Sequence, residues 1–265
     1  MKKIKIFALA LNVCLVLGAF AGCTKQEEAS VSILESTTAS ATEVSSSSEE
    51  TETTSGNFEY IILDADGQKY ANTFMSNFAE QLFTGDRDST TVEQYMRFVR
   101  LHLKINSYKS ITYETYGEIT YETFTWEKAQ SVISKYFGIF LEYGYEDLPE
   151  PPQNHDEVVV AVGPYYKDGR IWFEASDGEI YNDFAVVDSV ENYYDGSLTL
   201  RFTIYEIDLR TFADIDDDGL RAYYTLTPDE AKADDTLTAY ATGTAVVDVG
   251  QSGEYYLISC HAERV

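Results

Sequence analysis

The strongest constraint on how this chain folds is an alternation. Leu198, Leu200, Phe202 and Ile204 alternate with Thr199, Arg201, Thr203 and Tyr205. A period of two puts one face of a strand in a core and the other in water. Ala185 to Tyr193 forms a strand before it, with Tyr194-Asp195-Gly196 between the two. The apolar pattern selects the turn. A two-residue Asp-Gly loop sets Glu191 opposite Leu200 and Ser189 opposite Phe202. A three-residue loop with Gly196 in the left-handed conformation sets Val190 opposite Leu200 and Val186 opposite Ile204, and buries more. The second register is therefore expected, and it leaves the charged Asp188 facing Phe202.

Around this β-meander, residues 165–209, the rest of the chain reads as helices early and antiparallel strands late. Phe58 to Leu63 is a short strand. Phe74, Phe78 and Leu82 recur every four residues and predict a helix over 72–83, stopped by Gly85. Residues 88–106 predict a second helix with Thr90 and Glu93 as a capping box. Residues 111–113 and 118–124 form a hairpin around Tyr116-Gly117. Thr125 caps a third helix, Trp126 to Phe137, ended by Gly138. Residues 146–156 hold Pro149, Pro151 and Pro152 and form a loop. Val158 to Val162 is a buried strand. Residues 165–175 form a hairpin around Asp168-Gly169. Thr227 and Pro228 open a short helical turn. Residues 236–248 and 254–262 form a closing hairpin. The expected class is α+β: a mostly antiparallel sheet of meander and hairpins, about three helices on one face. A curved sheet wrapped around a helix, as in cystatin-like folds, is one arrangement that meets this.

The N-terminus is a different kind of sequence. Lys2, Lys3 and Lys5 precede an apolar run from Ile6 to Phe20, too short for a comfortable membrane span and flanked like a signal peptide. The run ends in Phe20-Ala21-Gly22-Cys23, which resembles the lipobox of bacterial lipoproteins, with Phe20 where an aliphatic residue is usual. That resemblance implies cleavage after residue 22 and a diacylglyceryl group on Cys23. Residues 23–56 are dominated by Ser, Thr and Glu, with too little apolar surface to offset chain entropy, and read as a disordered tether. A flexible coil over the 33 residues that follow Cys23, 24–56, has ends on the order of 30 Å apart. Residues 57–265 then form a single globular domain.

Beyond the lipobox, Asn72-Thr73-Phe74-Met75-Ser76-Asn77-Phe78, Tyr166-Lys167-Asp168-Gly169 and Leu226-Thr227-Pro228-Asp229-Glu230-Ala231 carry a wider similarity. On these motifs the chain resembles a family of membrane-anchored lipoproteins of clostridia and related Firmicutes. The resemblance implies the outer face of the cytoplasmic membrane as location. None of its motifs is tied to chemistry, so it implies no activity.

Charge narrows the partners. The chain carries net charge −26; residues 1–56 hold four Lys and seven Glu, so the domain has 15 basic and 38 acidic residues, net −23. Such a domain repels nucleic acid and anionic membranes and favours basic partners or cations. Cys14 leaves with the signal peptide and Cys23 is lipidated, so Cys260 has no intrachain partner.

Four groups of residues are candidates for chemistry. Asp214, Asp216 and Asp218 before Gly219, with the Leu220 carbonyl, match the first half of an EF-hand-type calcium loop. Thr225 stands where that loop has a bidentate Glu. Tyr165, Tyr166, Trp172 and Tyr181 cluster around one hairpin, and those left exposed would stack on sugars or grip a peptide. Cys260 and His261 are strand neighbours that point to opposite faces, which argues against a thiol–imidazole pair. His102 reads as a packing residue and His155 as a solvated one. No Gly-x-Ser-x-Gly elbow, phosphate loop or dinucleotide fingerprint is present. Two functions follow as expectations. One is a non-enzymatic surface domain binding a protein, peptide or cell-wall glycan. The other is an extracytoplasmic hydrolase using an acidic residue pair, which needs a cleft holding both carboxylates.

Overall fold

The computed structural model describes residues 58–142, 144–157, 163–176 and 182–265. The signal peptide, Cys23, the tether, the Val158 to Val162 run and Tyr181 lie outside these residues. The described chain is α+β, built on two antiparallel sheets. The larger has the order β1 (Glu59–Ile61), β7 (Asp183–Asn192), β8 (Ser197–Ile207), β9 (Leu237–Val249), β10 (Tyr255–Arg264), β2 (Gly85–Asp86). The smaller runs β3 (Thr112–Tyr116), β4 (Ile119–Thr125), β6 (Arg170–Glu174), β5 (Tyr165–Lys167). Division of the hairpins between two sheets is the main feature that the sequence pattern leaves unseen.

Three longer helices, α1 (Ala65–Ala79), α2 (Val92–Asn106) and α3 (Trp126–Phe137), share one core with the inner faces of both sheets. Each helix starts where a side chain satisfies a free backbone N–H. The Gly67 N–H donates to Asp64 Oδ1 at 2.7 Å, so α1 begins seven residues before the expected start. The capping box of α2 is Thr91 with Gln94. The expected Thr90 instead donates its hydroxyl to the Asp86 carbonyl at 2.7 Å. For α3 the expectation holds at both ends: Thr125 caps it and Gly138 closes it at φ 68°.

Aromatic side chains fill this core. Phe78 stacks on Phe98 at 5.1 Å and meets Phe137 edge-on at 5.7 Å. Burial of each such ring stabilises by about 1.5–3 kcal/mol. On the small sheet, fully buried Glu122 accepts from Arg100 Nε at 2.7 Å and pairs with Lys104 Nζ at 2.9 Å. This ion triad ties α2 to β4.

The β7–β8 pairing resolves the Asp188 anomaly. Val190 faces Leu200 as expected, but Ala185, not Val186, faces Ile204. A bulge between Val187 and Ser189 shifts the register. Val187 therefore faces Phe202, and Asp188 turns out to accept from Thr203 Oγ1 at 2.8 Å.

The large sheet has a second face. Phe184, Val186, Tyr205 and Ile207 form a smaller core there. It is roofed by α4 (Leu209–Asp214), α5 (Asp217–Tyr223) and α6 (Pro228–Ala233). These helices form one lobe between β8 and β9, its base closed by the Asp208 N–H donating to Thr236 O at 2.9 Å.

Where β1 ends, α1 takes over the flank of β7. Gln68, Asn72 and Ser76 lie four residues apart on one side of the helix. Asn72 Oδ1 accepts from the Val187 N–H at 2.8 Å, and Gln68 Nε2 donates to Val187 O at 2.9 Å. Ser76 Oγ accepts from the Ala185 N–H at 3.0 Å. Helix side chains thus satisfy strand groups that would otherwise form an open edge.

Candidate functional site

The uncovered half of the second sheet face is the best-formed candidate surface. Residues paired across strands share a face. Tyr60 pairs with Glu191, Glu191 with Thr199, Arg201 with Thr244, Thr203 with Thr242, and Thr244 with His261. These side chains lie beside the lobe on the same side of the sheet. A shallow depression of about 360 Å³ is lined by Asp188, Arg201, Thr242, Thr244, His261 and Glu263.

Its electrostatics are mixed. Arg201 Nε donates to Glu191 Oε1 at 2.7 Å, and Tyr193 Oη donates to Glu191 Oε2 at 2.8 Å. The Arg201 bond holds the Glu191 carboxyl below its ordinary range, against its burial. Burial pushes Asp188 up, opposed by its bond from Thr203. At the β1 edge the face ends in aromatic rings. Phe58 lies 5.1 Å from Tyr60 and 5.3 Å from Tyr193. Tyr60 is 61% exposed.

The expected aromatic cluster is placed differently. Tyr165 and Trp172 do meet, as a cross-strand pair, but they are buried at 2% and 5% exposure beside Tyr121 and Ile119. Tyr166 faces the other way and packs on Tyr145 at 4.9 Å. The small sheet buries both of its faces here, so Tyr165 and Trp172 offer no open ring surface. Tyr181 lies outside the described residues. Near the open face the exposed aromatics are instead Phe58, Tyr60 and Tyr194, and the clue in the sequence was the aromatic density of Tyr193-Tyr194 beside a turn.

The acidic run is likewise not the open loop expected of an EF-hand. Asp214 ends α4, Asp216 caps α5, and Gly219 sits inside α5. Asp216 Oδ1 accepts from the Gly219 N–H at 2.8 Å, and exposed Asp218 pairs with Arg221 at 3.4 Å. Leu220 joins the lobe's apolar interior. A helix cap outcompeted the calcium-loop turn because Asp-x-x-Gly supplies an N-cap acceptor at the same spacing. Among the described residues no three His, Cys, Asp or Glu side chains gather as a metal site.

Cys260 points into the main core and His261 to the open face. Burial pushes the Cys260 thiol up to about 12. His102 is buried against Asn77 at 3.0 Å, and burial pushes it down to about 4, helped by Lys135 and Lys128.

One residue escaped sequence reasoning. Glu80 continues the α1 series Gln68, Asn72, Ser76 by four more residues and is 9% exposed. Its Oε1 accepts from Tyr224 Oη at 3.1 Å, while its Oε2 is buried with no hydrogen-bond partner. Burial pushes its carboxyl up to about 7. The four-residue spacing of polar residues beside the Phe74–Phe78 stripe was the available signal. Comparison with family models, with curated proteins and with solved structures gives no match.

Proposed function

We propose that the chain is a lipid-anchored extracytoplasmic lipoprotein of the family it resembles, whose domain binds a protein, peptide or cell-wall glycan without transforming it. The open half of the second sheet face is the binding surface. The observation that carries this reading is the ring group of exposed Phe58 and Tyr60 with half-buried Tyr193, continuous with Arg201 and the threonine rows across the depression. Rings supply flat apolar contact area, and the hydroxyls and the Arg201–Glu191 pair supply directional hydrogen bonds. The acidic domain favours a basic partner through long-range attraction. Binding is tested with purified cell-wall glycan and with basic peptides, by sedimentation and by fluorescence. Tyr60→Ala and Tyr193→Ala should weaken binding at least tenfold. Binding that survives both substitutions would overturn the assignment of the face.

A second reading rests on Asp188 and Glu263, two carboxyl residues lining one depression. They are the acidic pair that an extracytoplasmic hydrolase would use, with Asp188, raised by burial, as the acid. Unchanged hydrolysis of cell-wall substrate by Asp188→Asn and Glu263→Gln would remove this reading.

A further inference from the structure

The lobe α4–α6 hangs from the sheet by its base, and beyond the base it is held by α1. Asn72 Nδ2 donates to Leu226 O at 2.8 Å and to Tyr224 O at 3.2 Å. About two helical turns on, Tyr224 Oη donates to Glu80 Oε1. The two contacts differ in kind. Asn72 is neutral and its amide is fully used. Glu80 presents a buried carboxyl whose Oε2 has no well-formed hydrogen bond.

The groups facing Glu80 make ionisation harder. Asp183, at the start of β7, adds like charge, and burial raises its own pKa too. Tyr240 from β9 and Glu206 from β8 stand behind Asp183, and the Tyr240 hydroxyl is buried without a well-formed hydrogen bond. Tyr136 from α3 faces Glu80 with a neutral phenol. Lys135 lies 4.8 Å over the Tyr136 ring rather than against Glu80, and among the described residues no cation acts on the Glu80 carboxyl. From α2, the Asn106 amide helps Glu80 ionise, but its hydrogen bonds go to Asn77 and His102 at 3.3 Å. His102 stays neutral through burial. Ionised Glu80 in the closed lobe is therefore a buried charge without a counter-ion, and lifting the Tyr224 segment hydrates it.

What the lobe covers gives this contact a consequence. Beneath it lie Phe184, Val186, Tyr205 and Ile207, on the same face as the open surface. We infer that the α4–α6 lobe is a proton-controlled cover: it is held down through Glu80 when that carboxyl is protonated and loosened when it ionises, extending the exposed face with an apolar patch. This inference rests on the fold and is independent of which ligand the open face takes.

The test is amide hydrogen exchange of the full chain between pH 5 and pH 8, corrected for intrinsic exchange. Opening that returns Glu80 from about 7 to its ordinary 4.5 should raise the opening equilibrium about 70-fold over that range. The rise should appear at residues 218–233 and be absent from the β8–β9 ladder. In Glu80→Gln, a neutral shape-match, the pH dependence should vanish while the lobe stays protected at pH 8. In Asp183→Asn it should persist. Glu80→Gln retaining the parent's pH dependence would overturn the inference, and so would its loss in Asp183→Asn alone. Should the Gln variant fail to fold, carbon-13 titration of the wild-type Glu80 carboxyl decides. A midpoint near 7 supports the cover, and one near 4.5 overturns it.

Discussion

Replacing Asn72 by Ala tests whether α1 really stands in for a strand. The Asn72 side chain is fully buried and makes four hydrogen bonds. It accepts from Gln68 and from the Val187 N–H, and it donates to the carbonyls of Tyr224 and Leu226. Alanine leaves one buried N–H and two carbonyls without those partners. Each orphaned group costs about 1–3 kcal/mol when water cannot reach it. The Val187 N–H is buried, whereas the two carbonyl bonds are only partly so. The full cost then falls on one group and a reduced cost on two, about 3–5 kcal/mol in all. For a domain of this size that lowers the melting temperature by about 6–20 °C. Urea unfolding should show a lower midpoint with an unchanged slope. Exchange at the Val187 amide should accelerate before that of its neighbours on β8. A loss below about 1 kcal/mol, with Val187 still protected, would show that the flank of β7 is closed by something other than Asn72.

Other outcomes are expected together. Glu122→Ala should cost about 3–5 kcal/mol in urea unfolding, because Arg100 and Lys104 then stay buried without their carboxylate; Arg201→Ala should cost less, because Arg201 is half exposed and Tyr193 still donates to the buried Glu191 it leaves behind. From Glu80 alone, the folded state gains stability in acid. The contribution is fully present below pH 4.5, and about 3 kcal/mol is lost as the pH rises to about 7, since only the folded chain holds the proton in that window. Thermal melts at fixed ionic strength check it, and Glu80→Gln should flatten the curve. Cys23→Ala should move the protein from the membrane fraction to the medium or leave an uncleaved precursor; unchanged fractionation and processing would refute the lipid anchor. Calcium at millimolar levels should raise the melting temperature no more than equal magnesium, because Asp216 is engaged as a helix cap; a calcium-specific rise that Asp216→Asn removes would restore the ion to this segment.

Local signals carried the fold as far as they reached. Thr125 and Gly138 mark α3 because cap chemistry is read within one turn. The closing hairpin and the Gly196 turn were legible for the same reason. The Asp188 bulge was visible only as a misfit, a charge opposite Phe202, since a one-residue slip looks the same as a wrong register until both strands are in place. Gly67 hid the start of α1: glycine reads as a breaker, but inside the first turn its N–H is taken by Asp64. The acidic run was ambiguous because Asp-x-Asp-x-Asp-Gly serves a helix cap as readily as a metal loop, and the structure shows Asp216 as a cap. The candidate surface was least legible of all. Exposure is tertiary, so the aromatic residues of the β5–β6 hairpin, which look like a binding group, are buried by sheet pairing. Tyr60, on a three-residue edge strand, is left in water beside the open face.

Cys260 offers a clock. Its thiol is 1% exposed, sits against Ala245 on β9 and is held far from its reactive thiolate form. A thiol reagent can reach it only after the main core opens over that face, so the labelling rate measures the opening of that core. The lobe covers the other face of the sheet, and its release leaves this core closed. Labelling at pH 8 should therefore stay slow while the lobe amides exchange freely, and the two rates together separate a cover that lifts from a domain that unfolds.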